Sequence, residues 1–380
     1  MKKILIVFGT RPEAIKMAPL IKEFQKHPEQ FETQVCVTAQ HRQMLDQVLN
    51  VFDIKPDFDL DIMSPNQDLY DITVKVLQGM KSVFKKFLPD ILFVHGDTTT
   101  SMAAALAAFY LRIKTAHVEA GLRTYNLDAP WPEEMNRQMT DRLCHYYFVP
   151  TEVSKQNLLS EHVDENKIHI TGNTVVDALF MAVEMIDSEK RLKHRIEKTI
   201  TDNGYEISER YFEQKRKYIL ITGHRRENFG EGFLNICNAI KEIAIKNKEI
   251  DLVYPVHLNP NVQKPVKELL SEINNIFLIP PLDYLPFVYL MKNCHIILTD
   301  SGGIQEEAPS LKKPVLVMRD LTERPEGLSL GTIKLVGTKK DEIVYNVTAL
   351  LENSEIYNSM AQGKNPYGDG KACKRIVAAI

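Results

Sequence analysis

Short apolar runs alternate with longer amphipathic segments along most of the chain. A first series of runs falls at Ile4–Phe8, Thr33–Thr38, Ile91–His95, Thr115–Val118, Tyr146–Val149 and Ile168–Ile170. A second falls at Tyr218–Thr222, Leu252–Pro255, Ile276–Ile279, Ile296–Thr299, Val315–Val317 and Ile333–Val336. Each run is apolar on both faces, the pattern of a parallel strand covered by helices above and below. Segments of helical length lie between them, among them Pro12–Gln25, Leu69–Phe87, Ser101–Leu111, Glu133–Cys144, Phe233–Asn247 and Pro286–Lys292. Strand and helix in strict alternation predict an α/β protein with parallel sheets.

The alternation breaks between Thr174 and Lys217, where the chain becomes charge-rich (Glu189-Lys190-Arg191-Leu192-Lys193-His194-Arg195) and then polar. Such a run reads as the solvated face of a helix. Because it separates two βα series of similar size, a domain boundary is expected near Gly172-Asn173, giving domains 1–172 and 173–365. The expected architecture is two Rossmann-like, doubly wound domains facing a cleft, with a ligand outside the strand C-termini.

Charge narrows the partners. Forty-seven basic against 50 acidic residues leave a net charge of −3, with no basic cluster that would mark a nucleic-acid or anionic membrane surface. No apolar stretch approaches the roughly 20 residues that span a bilayer, and the apolar run at the N-terminus is cut short by Gly9-Thr10-Arg11, unlike a signal peptide. The five cysteines are scattered, odd in number and form no C-x-x-C motif, as expected of reduced thiols in a cytoplasmic protein.

If strand C-termini carry the ligand, the loops after the strands should hold the unusual residues, and they do. The first is Gly9-Thr10-Arg11-Pro12-Glu13, with Lys16 a turn later. Pro12 suits the first position of a helix, which would hold Arg11 just outside the N-terminus, where it can grip an anion. Asp97 follows the third run of the first series, and Glu119 the fourth. Asp97 could equally be a helix-capping acid. A carboxylate at a buried strand end such as Glu119 needs a partner or a task. Glu133 opens the next helix; with Arg137 at i+4 it could form only a surface ion pair. Together the three acids point to acid/base chemistry. In the second half, Thr222-Gly223-His224-Arg225-Arg226-Glu227 and Thr299-Asp300-Ser301-Gly302-Gly303-Ile304-Gln305-Glu306-Glu307 each follow a strand. Ser301, Gly302 and Gly303 would offer backbone N–H groups to a diphosphate, and Glu307 could accept from a ribose diol. Arg319 and Arg324 end another strand and could bind phosphate or sugar hydroxyls. Lone histidines such as His117 and His295 read as structural. Neither the P-loop nor the G-x-G-x-x-G spacing is present, and no histidine, cysteine and carboxylate spacing suggests zinc.

These loops, from Gly9-Thr10-Arg11-Pro12-Glu13 through Gly223-His224-Arg225-Arg226-Glu227 to Asn365-Pro366-Tyr367-Gly368-Asp369-Gly370, resemble those of the non-hydrolysing UDP-N-acetylglucosamine 2-epimerases. The resemblance runs nearly the whole length. It implies the glycosyltransferase-B fold, with a C-terminal helix, residues 366–380, rejoining the first domain. It also implies a cytoplasmic homodimer that interconverts UDP-N-acetylglucosamine and UDP-N-acetylmannosamine for bacterial surface polysaccharide synthesis, with no cofactor. By the same resemblance Ser301, Gly302, Gly303 and His224 hold the diphosphate, Glu307 the ribose, and Phe287 with its loop the uracil. Arg11, Lys16, Arg137 and Arg324 line the sugar-phosphate region, and Asp97, Glu119, Glu133 and His224 form the catalytic group. Gln40, Gln43 and His257 match members that bind a second UDP-N-acetylglucosamine as activator. Asn66 stands where those members carry an arginine, and an asparagine has no charge to offer a phosphate. A glycosyltransferase of the same fold, a hydrolysing epimerase and a non-catalytic UDP-sugar sensor are the rival readings.

Overall fold

A computed structural model describes residues 1–39, 42–64, 66–322 and 324–380. The chain divides into two compact units, Met1–Ala178 with Tyr367–Ile380, and Leu179–Pro366.

The first unit begins β1 (Lys2–Phe8), α1 (Arg11–Gln25), β2 (Phe31–Val37), α2 (Arg42–Val51), β3 (Phe58–Asp59) and α3 (Leu69–Lys86). It continues with β4 (Ile91–His95), α4 (Thr99–Tyr110), β5 (Lys114–Val118), α5 (Glu133–Leu143), β6 (Tyr146–Val149), α6 (Glu152–Ser160) and β7 (Ile168–Ile170). All seven strands are parallel, in the order β3-β2-β1-β4-β5-β6-β7. The two-residue edge strand β3 escapes the sequence pattern because it is too short to show a period. Side chains alternate across each strand. Leu5, Val7, Leu92 and Val94 therefore pack with Val76 and Met80 of α3 and Ala104 of α4 on one face. On the other, Phe24 of α1 meets the Phe93 ring edge-on at 5.2 Å, and Phe93 stacks on Phe148 at 6.1 Å. Burying one such side chain contributes about 1.5–3 kcal/mol, which is what fixes the register.

The second unit follows α7 (Thr174–Ser188), which contains the boundary, with α8 (Lys190–Asp202), β8 (Tyr218–Thr222), α9 (Glu231–Lys246), β9 (Asp251–Pro255), α10 (Pro260–Leu270) and β10 (Ile276–Ile279). Then come α11 (Tyr284–Asn293), β11 (Ile296–Thr299), α12 (Gly302–Glu307), β12 (Val315–Val317), α13 (Pro325–Ser329), β13 (Ile333–Leu335), α14 (Lys340–Glu352) and α15 (Ser354–Ala361). Its six parallel strands run β10-β9-β8-β11-β12-β13. Ile219, Ile221, Leu252 and Leu298 of the sheet pack against Ile236 and Ile240 of α9 and Ile343 and Val347 of α14. The charge-rich stretch is α8, with only Ile196 and Ile200 buried.

The last segment of the first unit forms a shorter helix than expected, α16 (Ala372–Ala378). Gly368 and Gly370 take positive φ values of 140° and 75° and keep the preceding residues out of it. Asp177 accepts from the backbone N–H groups of Ala372 (3.1 Å) and Cys373 (2.9 Å), capping the helix from another part of the chain. All five cysteines are buried and free. No helix among the described residues is long and apolar enough to cross a membrane.

Candidate active site

Each sheet has one place where the chain leaves a central strand and later returns on that strand's other side. In the first it lies between β1 and β4, in the second between β8 and β11. Outside the C-termini of such strand pairs the connecting loops diverge and leave a crevice, the usual ligand site of open α/β sheets. The loops after β1 and β4 begin at Gly9 and Gly96, and those after β8 and β11 at Gly223 and Asp300. The motif loops therefore occupy the switch point of each sheet.

In the first unit one buried carboxylate ties two of these loops together. Glu13 Oε2 accepts from the N–H groups of Gly9 (3.0 Å) and Thr10 (2.8 Å), and its Oε1 accepts from Thr98 Oγ1 (2.6 Å) and Ser101 Oγ (3.1 Å). Burial pushes its pKa up, and the hydrogen bonds from Thr98, Gly9 and Thr10 partly oppose the shift. A side chain at position 9 would collide with Thr38 Oγ1 and Thr100 Oγ1, 2.1 and 2.6 Å from a Cβ built there, so only glycine fits. Thr10 is the N-cap of α1 and Arg11 its first residue. Arg11 thus lies inside the helix rather than just outside it, because Pro12 takes the second helical position, where a missing N–H is equally harmless.

Glu119 lies just beyond β5 with φ +67°, a left-handed conformation that costs a non-glycine residue about 1–3 kcal/mol. Its N–H and that of Ala120 both donate to the Phe148 carbonyl, at 3.0 and 3.2 Å, which bends the chain there. The bend delivers the carboxylate to Lys16 Nζ and to Asn173 Nδ2 (2.6 Å). His95 Nε2 lies 3.8 Å away. Its ring nitrogens are buried without a hydrogen-bond partner, and burial drives its pKa down to about 3 despite Glu119. At neutral pH His95 is an uncharged imidazole against a carboxylate.

Asp97 is not the cap of α4; Thr98 is, accepting from the Ser101 N–H at 3.1 Å. Asp97 Oδ2 instead accepts from Arg137 Nη2 at 2.6 Å, and its carbonyl from Asn136 Nδ2 at 3.0 Å. The pKa of Asp97 is raised, first by lost hydration and then by the charges of Glu119 and Glu133, against the lowering effect of Arg137 and Lys16. The three sequence-predicted acids are therefore one electrostatic group. Arg137 does not take the helix-surface partner expected for it: it turns to Asp97 and to Glu134 (3.5 Å) rather than to Glu133. Beneath the group, His117 Nε2 faces the Gly96 carbonyl (2.8 Å) and its Nδ1 faces Asp141 (2.6 Å), whose other oxygen meets Arg123 (2.7 Å). This fully buried chain fixes the Gly96-Asp97 turn, a structural role.

In the second unit, Asp300 is fully buried. Its Oδ2 accepts from the N–H groups of His224 and Arg225 (2.8 Å each) and from Asn228 Nδ2 (3.3 Å). The His224 ring stacks on His257 at 5.2 Å. Its pKa is lowered by burial, with Asp300 opposing and His257 and Arg225 adding to the shift. Ser301 is the N-cap of α12, and its own N–H is taken up by Thr299 Oγ1 (2.9 Å), so it does not join Gly302 and Gly303 as a spare donor as expected. The Arg324 guanidinium packs on Gly302, where a Cβ would come within 2.9 Å of it, and its Nε donates to Glu306 (2.9 Å). Arg319 is paired with Glu227 (2.5 Å). Glu307 is buried and accepts from the Tyr284 hydroxyl (3.2 Å). Phe287, half-buried, sits within α11, one turn after Tyr284, rather than on a loop. Of the expected effector residues, Gln43 is exposed on α2 and His257 is exposed against His224, while Gln40 lies outside the described residues. Among the described residues no cluster of three histidine, cysteine or carboxylate groups could hold a metal ion.

Sequence reasoning left Glu13, His95, Asn173 and Asp300 without roles. Glu13 and Asp300 stood inside quoted motifs and could have been suspected. Asn173 meets Glu119 across 54 residues, and nothing local announces that contact.

Comparison with known proteins sets this geometry among relatives. The family model described as UDP-N-acetylglucosamine 2-epimerase matches residues 22–380. The UDP-N-acetylglucosamine 2-epimerase of Campylobacter jejuni is 59% identical over 376 residues, covering 99% of this chain and 96% of its own. That of Escherichia coli K12 is 55% identical over 378 residues, 100% and 98% of the two chains. The crystal structure of the Neisseria meningitidis enzyme bound to UDP-GlcNAc superposes with a TM-score of 0.89 at 54% identity, covering 99% and 98%. The Methanocaldococcus jannaschii enzyme in complex with UDP-GlcNAc and UDP gives 0.79 at 35% identity, covering 99% and 98%. With full-length matches at these identities, and an α/β fold of the two-Rossmann, glycosyltransferase-B type in common, the chain belongs to the UDP-N-acetylglucosamine 2-epimerase family.

Proposed function

We propose that the protein interconverts UDP-N-acetylglucosamine and UDP-N-acetylmannosamine by elimination and re-addition of UDP. The observation that carries the reading is the gathering of Asp97, Glu119 and Glu133 around Lys16 and Arg137 at the switch point of the first sheet. Epimerisation at C2 must remove a hydrogen that is not alpha to a carbonyl, which a carboxylate of ordinary basicity cannot do directly. If the C1–O bond to UDP breaks first, C1 gains oxocarbenium character and the C2–H becomes acidic. A carboxylate takes that proton, the C–H electron pair forms the C1=C2 bond of 2-acetamidoglucal, and UDP leaves with the C1–O pair. Protonation of C2 from the opposite face and return of the UDP oxygen to C1 complete the exchange.

Two faces of one carbon call for two proton carriers, which accounts for more than one acid at the site. In the second unit, Gly302, Gly303, Arg324 and His224 would take the diphosphate and stabilise it as it departs. Glu307 would take the ribose and Phe287 the uracil. Arg11 would meet the sugar-phosphate region with Lys16 and Arg137. The product would serve surface polysaccharide synthesis, and the chain would act as a homodimer. A non-catalytic sensor would gain nothing from three mutually repelling acids.

The test is proton NMR of the protein with UDP-N-acetylglucosamine in D₂O. UDP-N-acetylmannosamine carrying deuterium at C2 is the expected product. Epimer with its C2 hydrogen fully retained, or free N-acetylmannosamine with UDP, would exclude this route.

A further inference from the structure

Asp300 Oδ1 is buried without a hydrogen-bond partner, although its other oxygen collects three donors. The nearest titratable group is His224 Nδ1, at 3.5 Å. An orphaned carboxylate oxygen in a fully buried position is costly, and a single donor aimed at it removes the cost. We infer that Asp300 is a positioning residue for His224: it keeps a proton on Nδ1 and leaves Nε2 to pick up a second proton when a diphosphate binds. The inference rests on the proposed role of His224 at the UDP diphosphate and goes beyond it by assigning the tautomer and a coupled proton.

The local geometry favours this arrangement. The His224 and Arg225 N–H groups are pinned to Asp300 Oδ2 at 2.8 Å, so the loop carrying the imidazole is built around the carboxylate. His257 covers one face of the ring, with ring planes 15° apart, and limits its rotation. Its own Nδ1 accepts from the Asn259 N–H at 3.1 Å and does not compete for Asp300. The charged and titratable groups facing His224 are thus Asp300, which favours the imidazolium, and His257 and Arg225, which oppose it. Without ligand, burial is the leading effect and holds the pKa of the ring down. A dianionic diphosphate tips the balance, Nε2 gains a proton, and Nε2–H donates to the phosphate oxygen. When the C1–O bond breaks, that same proton stands beside the departing oxygen. Carboxylate-to-histidine contacts of this kind are often long before substrate arrives and shorten in the complex.

Replacing Asp300 by asparagine separates this role from scaffolding. In Asp300→Asn the amide oxygen can still accept from His224 and Arg225, while the amide N–H₂ now faces Nδ1 and drives the proton to Nε2, the tautomer error that an aspartate-to-asparagine change produces in a catalytic triad. Calorimetry of UDP-N-acetylglucosamine binding in buffers of differing ionisation enthalpy should show net proton uptake for the wild type and none for Asp300→Asn. Turnover should fall by about 10²-fold or more, with KM little changed. Nitrogen-15 NMR of the ligand-free wild type should show the Nδ1–H tautomer at His224, a measurement needing neither substrate nor a variant that folds. An Nε2–H tautomer in the wild type, or equal proton uptake by both proteins, overturns the inference while leaving the epimerase reading intact. A wild type that shows the Nδ1–H tautomer but neither binds nor converts the UDP-sugar supports the pair and sinks the reading instead.

Discussion

Lys16 and Glu119 lie 103 residues apart, yet the Lys16 ammonium donates to the Glu119 carboxylate at a site where both side chains are nearly enclosed. The contact places a cation against the acid on which the proposed chemistry most depends. A lysine partner favours the ionised carboxylate, and the strained backbone of Glu119 shows that the fold spends free energy to hold it there.

Glu119→Gln keeps the size and the acceptor oxygen for Lys16 but cannot take a proton. The kcat of epimerisation should fall by about 10²–10⁴-fold, while the Kd for UDP, measured by calorimetry, stays essentially unchanged. An unaltered kcat would remove Glu119 from the catalytic group.

Arg137 lowers the pKa of Asp97 against the raising effects of burial, Glu119 and Glu133. Arg137→Met should push that pKa further up, since the opposing charge is gone. If turnover uses ionised Asp97, the acid limb of the kcat/KM profile moves to higher pH, and activity at a fixed mildly acidic pH drops more than at alkaline pH. A profile that only scales down, with its limb unmoved, would show that Asp97 does not set it.

Glu13 has a raised pKa in the folded protein, so its protonated form is favoured by folding. The folded state holds the proton over a pH range in which the unfolded chain has lost it. Its contribution to stability is therefore full below the ordinary carboxylate pKa and is lost as pH rises through the folded value. Glu13→Gln, which cannot ionise, should lack that loss. Urea denaturation should show the variant gaining on the wild type as pH rises across this window. Glu13→Ala, which strands the Gly9 and Thr10 N–H groups and the Thr98 hydroxyl, should cost about 1–3 kcal/mol or more at any pH.

Asp177→Ala removes the acceptor that caps α16. A lost cap costs about 0.5–2 kcal/mol, and the C-terminal segment should become sensitive to limited proteolysis under conditions where the wild type resists it. Equal resistance would show that the cap contributes little.

Much of the strand framework was legible in the chain because buried parallel strands are apolar on both faces. Ile91–His95, Tyr218–Thr222 and Ile296–Thr299 are found with the expected bounds. Helix ends were read less well: α4 starts at Thr99, because the cap at Thr98 extends the helix beyond its apolar stripe, and α11 starts at Tyr284. The placement of candidate residues at strand ends was legible where it is local to a loop, as for Asp97 or Gly302-Gly303. It was not where a role depends on a partner far along the chain.

Residue order by itself determined the α/β class, the positions of the strand-end loops and the residue types available for chemistry, since period, turn residues and caps act over a few neighbours. Which acid meets which cation was decided only by the packed sheets. Arg137 turned from Glu133 to Asp97, Asn173 reached Glu119, and Asp300 came to face His224. The physical reason is that electrostatic and hydrogen-bond energies depend on distance in space, and strand order, not chain order, sets those distances.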